Sequence, residues 1–351
     1  MQVDFLIVGQ GLAGSLLAWE LMQRQYRVLI IDKGVENSSQ IAAGLINPIT
    51  GQRLVKSHDM ELLLPEANAF YKLLGKVFTD TFLIEKPMLR ILQTATEAEY
   101  ARRRLTQIDY QSYIQPCLNV PAGIKNDFGI CLQTKTAYLR TRLLLSRLRD
   151  FFIAQDSYRQ ISLDYSQLAF TPAIIWKNIR ARHLVFCEGY QAQANPWFGE
   201  LPFQLAKGEI LTGSLSGQSL KSILNYRHWL IPLPADQFKI GASFQPKWEN
   251  LLPTSHAKAE LLASLNAVCP AFAGLQIDEH KAGIRPATLD KQPFVGAHPQ
   301  YANVHIFNGF GAKGSLSIPW YVQHFISALQ QGTPLAEHCD TGRYYATHFT
   351  A

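Results

Sequence analysis

Gly9, Gly11 and Gly14 stand in the spacing Gly-x-Gly-x-x-Gly, and Asp32 follows Gly14 by 18 residues. These are residues for holding a dinucleotide rather than for attacking a bond. Gly9 permits a tight turn, Gly11 lets the backbone approach a pyrophosphate, and Gly14 lets a helix pack close to a strand. Asp32 stands where an acid accepts ribose hydroxyls. The elements that must position them can be read around the motif. An apolar run at 5–8 is the strand that opens into the turn, and the helix after Gly11 runs to about residue 25. A second apolar run at 27–31 ends on Asp32, with Lys33 beside it. Leu12 and Ala13 begin the helix, where unpaired N–H groups and the positive end of the dipole meet phosphate. The competing reading is a glycine-rich turn in an ordinary α/β protein.

The chain's 351 residues are many for one compact core, so two domains, or one with a large insertion, are expected. A composition of 47% hydrophobic and 17% charged residues supports a sizeable core and argues against disorder. The net charge of +6 is scattered, and the one tight cluster, 102–104, reads as a solvated helix face rather than a basic stripe for DNA. Five dispersed cysteines have neither metal nor redox spacing, and an odd count suits no disulfide framework. Ten dispersed histidines include no HExxH, so no protein-bound metal is expected. Asp4 and the glycines argue against a signal peptide. With no apolar run of transmembrane length, the expectation is a cytoplasmic protein.

Farther along, 38–53 reads as a loop, and 60–75, 97–107, 136–151, 254–268 and 318–330 read as helices. The apolar stretches 88–93, 168–170, 173–176, 184–187, 209–212, 229–232, 238–242 and 304–307 read as strands. The nucleotide-binding unit is therefore expected to be discontinuous, from 1–80, 136–200 and 284–351. The segments 81–135 and 201–283 would build a second, sheet-rich unit, with the site between the two. A second glycine-rich turn, Gly309-Phe310-Gly311-Ala312-Lys313-Gly314, follows the last buried strand. It suits a long cofactor gripped at two places, which FAD fits better than NAD.

Five segments together resemble the D-amino-acid oxidase-like family of FAD-dependent oxidoreductases, which includes glycine and sarcosine oxidases. They are the N-terminal glycine motif, Ala42-Ala43-Gly44-Leu45-Ile46-Asn47-Pro48, Val185-Phe186-Cys187-Glu188-Gly189, Gly283-Ile284-Arg285-Pro286 with Asp290 and Pro293, and the late turn. Asp32 in place of the more usual Glu, and Cys187-Glu188 in place of small residues, depart from the pattern. The resemblance implies an α/β fold, a Rossmann-like FAD-binding domain with an inserted, sheet-rich substrate domain. Cofactor contacts are then expected at Gly9, Gly11, Leu12, Ala13, Gly14, Asp32, Lys33, Ala43, Gly44, Leu45, Asn47, Gly189, Gly309, Gly311, Ala312, Lys313 and Gly314. The family's covalently flavinylated members carry a cysteine just before the late segment; 282–288 here holds none, so the resemblance implies non-covalent FAD.

The implied reaction is oxidation of the C–N bond of an amino acid or secondary amine by hydride transfer to flavin N5. Arg285 is the expected cation for a substrate carboxylate, or else a structural arginine at a domain interface. Trp229 stands close to a substrate-contacting tyrosine of the oxidases; its indole either packs a bulkier substrate or fills space. Lys313 either stabilises an anionic reduced flavin or snorkels. Asn47 and Arg53 face the isoalloxazine, or serve as a loop cap and a solvated charge. The electron acceptor is oxygen or another carrier. Alternatives are a family member acting on a modified amine of a larger substrate, as in tRNA modification, a non-catalytic flavin-binding protein, and an NAD-dependent dehydrogenase.

Overall fold

The computed structural model describes residues 1–170, 173–218 and 220–349. Two large sheets organise it. In the first, Tyr158–Gln160, Val28–Asp32, Gln2–Val8, Ile179–Phe186 and Val304–Asn308 lie side by side and parallel, and antiparallel strands extend it to eight. The parallel strands are continuous apolar runs because both faces are covered. Phe5, Ile7, Ile30, Val185 and Phe307 pack under the helices Leu12–Gln23, Met60–Phe78 and Gly314–Gln331. Leu6, Val8, Leu29, Ile31, Leu184 and Ile306 face the other way, toward Trp176, Phe198 and Phe294.

The second sheet also has eight strands, ordered Gln276–Arg285, Ala206–Ser214, Gln237–Gly241, Trp229–Pro232, Ile223–Asn225, Met88–Ile91, Ile130–Gln133 and Ile114–Pro116. Only Ile223–Asn225 and Met88–Ile91 pair in parallel. Leu211, Leu224, Leu230, Phe238 and Ile240 on one face pack with Leu261 and Leu265 of helix Ser255–Val268. The opposite face carries Ile210, Ile223, Ile231 and Trp229 toward Ala43 and Tyr138. The α/β fold expected from the sequence is thus present. We propose that the two sheets mark the two units, 1–80 with 136–200 and 284–351, and 81–135 with 201–283.

Three local readings need correction. Residues 136–151 are not one helix: Ala137–Leu139 is a strand between Leu45–Ile46 and Leu83–Glu85, and the helix is Thr141–Ala154. Cross-strand pairing overrides the apolar periodicity there. The loop at 38–53 contains a helix, Ser38–Ile41, closed by a capping box between Asn37 and Gln40. The last long helix begins at Gly314, not 318, although Pro319 lies inside it. Proline leaves the carbonyl four residues back without its helical donor. Here that carbonyl, on Ser315, accepts the Tyr71 hydroxyl at 2.8 Å.

Within the parallel sheet, on neighbouring strands, His183 Nδ1 lies 3.1 Å from His305 Nε2. His305 is 3% exposed, and burial, then the neighbouring His183, lower its pKa to about 3. The folded chain therefore binds fewer protons than the unfolded chain between pH 6.5 and about 3. Stability is present above the unfolded value and is lost as pH falls through this window. The slope from this group is at most about 1.4 kcal/mol per pH unit. Urea unfolding of His305→Phe is expected to lose less stability between pH 7 and pH 5 than the unaltered protein, and an equal loss would exclude His305 as a source.

Candidate active site

A cavity of about 720 Å³ opens at the C-terminal ends of the parallel strands, walled by both large sheets. That is where open α/β sheets bind ligands, and the volume is within the roughly 300–1,000 Å³ of small-molecule sites. Gly9, Gly11, Leu12, Ala13, Asp32 and Lys33 line one end. Gly9 has φ +103°, and a Cβ there would lie 2.5 Å from the Cys187 carbonyl oxygen. Gly14 lies behind the wall, where a Cβ would be 2.0 Å from the Gly9 carbonyl oxygen. It therefore sets how closely the helix sits on the turn. Gly11, the N-cap residue, has no side chain to cap helix Leu12–Gln23, and the Leu12 N–H instead donates to Ser39 Oγ at 3.1 Å. The Asp32 carboxylate accepts the N–H of Gln10 at 2.8 Å and of Gly34 at 2.7 Å. Each carboxylate oxygen has a further lone pair for a hydroxyl. The helix N-terminus beyond Leu12, the close backbone and this acid can hold a pyrophosphate and its ribose.

Ala43, Gly44, Leu45 and Asn47 form the next part of the wall. Asn47 Oδ1 accepts the Ile49 N–H at 3.1 Å, so its amide caps a local turn while lining the cavity. Arg53 is exposed and is not among the lining residues. From the late turn, Gly311, Ala312, Lys313 and Gly314 line the cavity, whereas Gly309 packs behind it against Thr288 and Phe294. Lys313 precedes helix Gly314–Gln331, which also has no side-chain cap. Desolvation, and then nearby Lys291, hold the Lys313 ammonium below the ordinary lysine value. Asn308 Nδ2 donates to the Gly189 carbonyl at 2.9 Å, tying the late turn to the end of strand Ile179–Phe186.

The second sheet supplies the far wall. Trp229 lines the cavity and lies over Gly241, whose Cβ would come within 2.7 Å of the indole. The indole thus fills space above a glycine and lines the cavity. Arg285 ends strand Gln276–Arg285, and its Nη2 donates to the Ser243 carbonyl at 3.1 Å. Among the described residues no carboxylate lies within ion-pair distance of it. Desolvation alone holds its pKa below the ordinary arginine value. Ile210, Leu251 and Phe310 line the same cavity. Together they make a cation in a largely apolar wall, which attracts an anionic group of a ligand.

Two features escape motif reading. Arg90 lines the cavity, 3.2 Å from Glu97 Oε1 and hydrogen-bonded to Asn225 Oδ1. Parallel pairing of Met88–Ile91 with Ile223–Asn225 brings Arg90 to Asn225, a register that no local spacing announces. Glu97 is 3% exposed and also accepts the Gln93 N–H. Glu97→Ala leaves a buried guanidinium unpaired and is expected to cost about 3–5 kcal/mol. A urea midpoint within error of the unaltered protein would contradict that. The second feature is Glu188, whose carboxylate accepts the Tyr165 hydroxyl at 2.6 Å and the Asn195 amide at 2.8 Å. Burial raises its pKa, and these two donors oppose the rise. Its departure from the small residues of the resembling pattern is the signal that singles it out.

Among the described residues there is no cluster able to hold a metal ion, and no helix is long and apolar enough to cross a membrane. All five cysteines are free thiols.

The family model of FAD-dependent oxidoreductases, DAO, matches residues 4–324. A tRNA 5-methylaminomethyl-2-thiouridine biosynthesis bifunctional protein of Idiomarina loihiensis is 24% identical over 344 residues, which cover 90% of this chain but only 54% of that protein. Glycine oxidase of Pseudomonas putida is 22% identical over 365 residues, covering 96% of this chain and 97% of the relative. The crystal structure of glycine oxidase from Geobacillus kaustophilus superposes with a TM-score of 0.83 at 19% identity, covering 96% of this chain and 99% of that one.

Proposed function

The chain belongs to the DAO family of FAD-dependent oxidoreductases, and from that premise we propose that it oxidises the C–N bond of an amine that carries a carboxylate. The observation that carries this reading is Arg285, a cation on the cavity wall with no carboxylate partner among the described residues. The glycine oxidase relatives, whose length this chain covers almost fully, support a small amino acid or secondary amine. FAD supplies, when bound, the two-electron acceptor for the Cα–H hydride. The chain's own residues do the rest. Gly9, Gly11 and the N-terminus of helix Leu12–Gln23 hold the pyrophosphate end, and Asp32 the ribose. Arg285 grips the substrate carboxylate through two parallel N–H donors and so fixes which Cα–H faces the cofactor. Trp229, Ile210, Leu251 and Phe310 surround the reacting carbon and exclude water, which strengthens the guanidinium–carboxylate pair. Lys313, on the cavity wall, would place positive charge beside the bound cofactor.

FAD is held non-covalently in this reading. Residues 282–288 contain no cysteine, and Cys187 on the cavity wall is buried, which pushes its thiol pKa well up and leaves little thiolate. A second reading, an amine borne on a larger molecule, is supported by the likeness to the bifunctional tRNA-modification protein. Of that relative this chain spans 54%. The test is visible absorbance under nitrogen as amino acids and N-alkyl glycines are added singly. Bleaching by one of them, with its carbonyl product formed in equal amount, supports the small-substrate reading. Bound FAD that no member of the panel reduces overturns it in favour of the larger amine.

A further inference from the structure

A charged guanidinium beside a cavity keeps one orientation only if something holds it there. Strand Ala206–Ser214, which pairs with the Arg285 strand, does this from both faces. On the cavity face, a Cβ on Gly208 would lie 2.1 Å from Arg285 Nη2 and 2.4 Å from Cζ. The guanidinium therefore occupies the space that any other residue at 208 would fill. Side chains alternate along a strand, so Lys207 and Glu209 point to the opposite face. They are 2% and 0% exposed and lie 3.1 Å apart, Lys207 Nζ to Glu209 Oε1. Both grip the segment that follows Ser243. Lys207 Nζ donates to the Leu252 carbonyl. The Glu209 carboxylate accepts the Thr254 N–H at 2.8 Å and its hydroxyl at 3.1 Å, and His280 Nε2 lies 2.8 Å away. The backbones of Lys207 and Gln245 exchange two hydrogen bonds of 2.9 Å.

Ser243 joins the two faces. Its Oγ accepts the Glu209 N–H at 2.9 Å, its own N–H donates to the Glu209 carbonyl at 3.2 Å, and its carbonyl accepts Arg285 Nη2 at 3.1 Å. We propose that Lys207, Gly208 and Glu209 form a positioning element for substrate recognition: Gly208 seats the Arg285 guanidinium, the Glu209 backbone holds Ser243, whose carbonyl orients it, and the buried Lys207–Glu209 side chains anchor the far end of the Ser243 segment at Leu252 and Thr254. This rests on the reading of Arg285 as the carboxylate cation. None of the three residues touches the substrate; each acts through Arg285.

The test uses the FAD-loaded protein with acetate and benzoate as probes, read by perturbation of the visible flavin spectrum. Gly208→Ala is expected to raise the carboxylate Kd by about 10- to 100-fold, the scale of a displacement near 1 Å. FAD stays bound and the spectrum without probe stays the same. The double variant Lys207→Met/Glu209→Gln removes both buried charges together, which the fold tolerates better than removal of one. It is expected to raise Kd by about tenfold, and in turnover to raise KM more than it lowers kcat. Arg285→Ala separates the two claims. Carboxylate binding that is absent in the unaltered protein, or undiminished in Arg285→Ala, overturns the reading of Arg285. Binding lost in Arg285→Ala but of normal strength in both Gly208→Ala and the double variant overturns the positioning element and leaves that reading standing.

Discussion

Arg285→Ala is expected to lower kcat/KM by roughly 30- to 4,000-fold while FAD remains bound, corresponding to about 2–5 kcal/mol for truncating one partner of a desolvated charge pair. The loss is large because Arg285 is the cavity cation at the end of the second sheet, and Ile210, Trp229, Leu251 and Phe310, which line the same cavity, give a carboxylate there no charge to replace it. An unpaired carboxylate in such a wall would cost more than it gains by leaving water. Arg285→Lys is expected to recover only part of the loss, since an ammonium cannot reproduce the two parallel donors. Thermal unfolding separates this role from a structural one. Arg285 has no acid partner to strand and makes its side-chain hydrogen bond to one backbone carbonyl. Its removal is therefore expected to leave the melting temperature unchanged or raised. A fall of several degrees with normal turnover would mark Arg285 as a structural residue.

Gly14→Ala is expected to yield protein that purifies largely without FAD. The added Cβ would sit 2.0 Å from the Gly9 carbonyl oxygen and 3.2 Å from Cys187 Cβ. The first of these atoms is backbone at the end of the central strand, so it cannot swing aside. Helix Leu12–Gln23 must move instead, and its N-terminal N–H groups would move away from a bound pyrophosphate with it. Overpacking of this kind costs about 1–3 kcal/mol in stability, and the displaced donors add about tenfold or more in FAD affinity. Gly274→Ala is the control, because a Cβ there would meet only Leu215 Cδ1 at 3.7 Å. The ratio of visible flavin absorbance to protein absorbance checks both. A normal ratio in Gly14→Ala would show that the helix does not grip the cofactor as described.

The parts of the site that could be read from the sequence are those whose geometry is local. Gly9, Gly11, Gly14 and Asp32 belong to one strand–turn–helix–strand unit, so residue spacing maps directly onto space. Arg285 was accessible because it ends a short motif at the end of a strand. The rest depends on contacts between distant segments. Arg90, Asn225 and Glu97 meet through strand register and helix placement, with Arg90 and Asn225 separated by 135 positions. Its place in a glycine-rich turn makes Gly309 an expected cofactor contact, whereas the chain packs it against Thr288 and Phe294 and leaves Gly311 and Ala312 on the cavity wall. The helix start at Gly314 was obscured by Pro319, whose disruption is repaired by Tyr71 from another helix. Ala137–Leu139 carries an apolar pattern compatible with a helix; only its two partner strands decide otherwise.

The central claim is that this flavoenzyme selects its amine through the carboxylate that Arg285 receives. The most direct measurement is the rate of anaerobic bleaching of bound FAD by the best amino-acid substrate and by the same amine lacking its carboxylate. The account predicts that the decarboxylated amine reduces the flavin at least about 30-fold more slowly per unit concentration, and that Arg285→Ala removes the difference between the two compounds. Equal rates for the two compounds with the unaltered protein would contradict it.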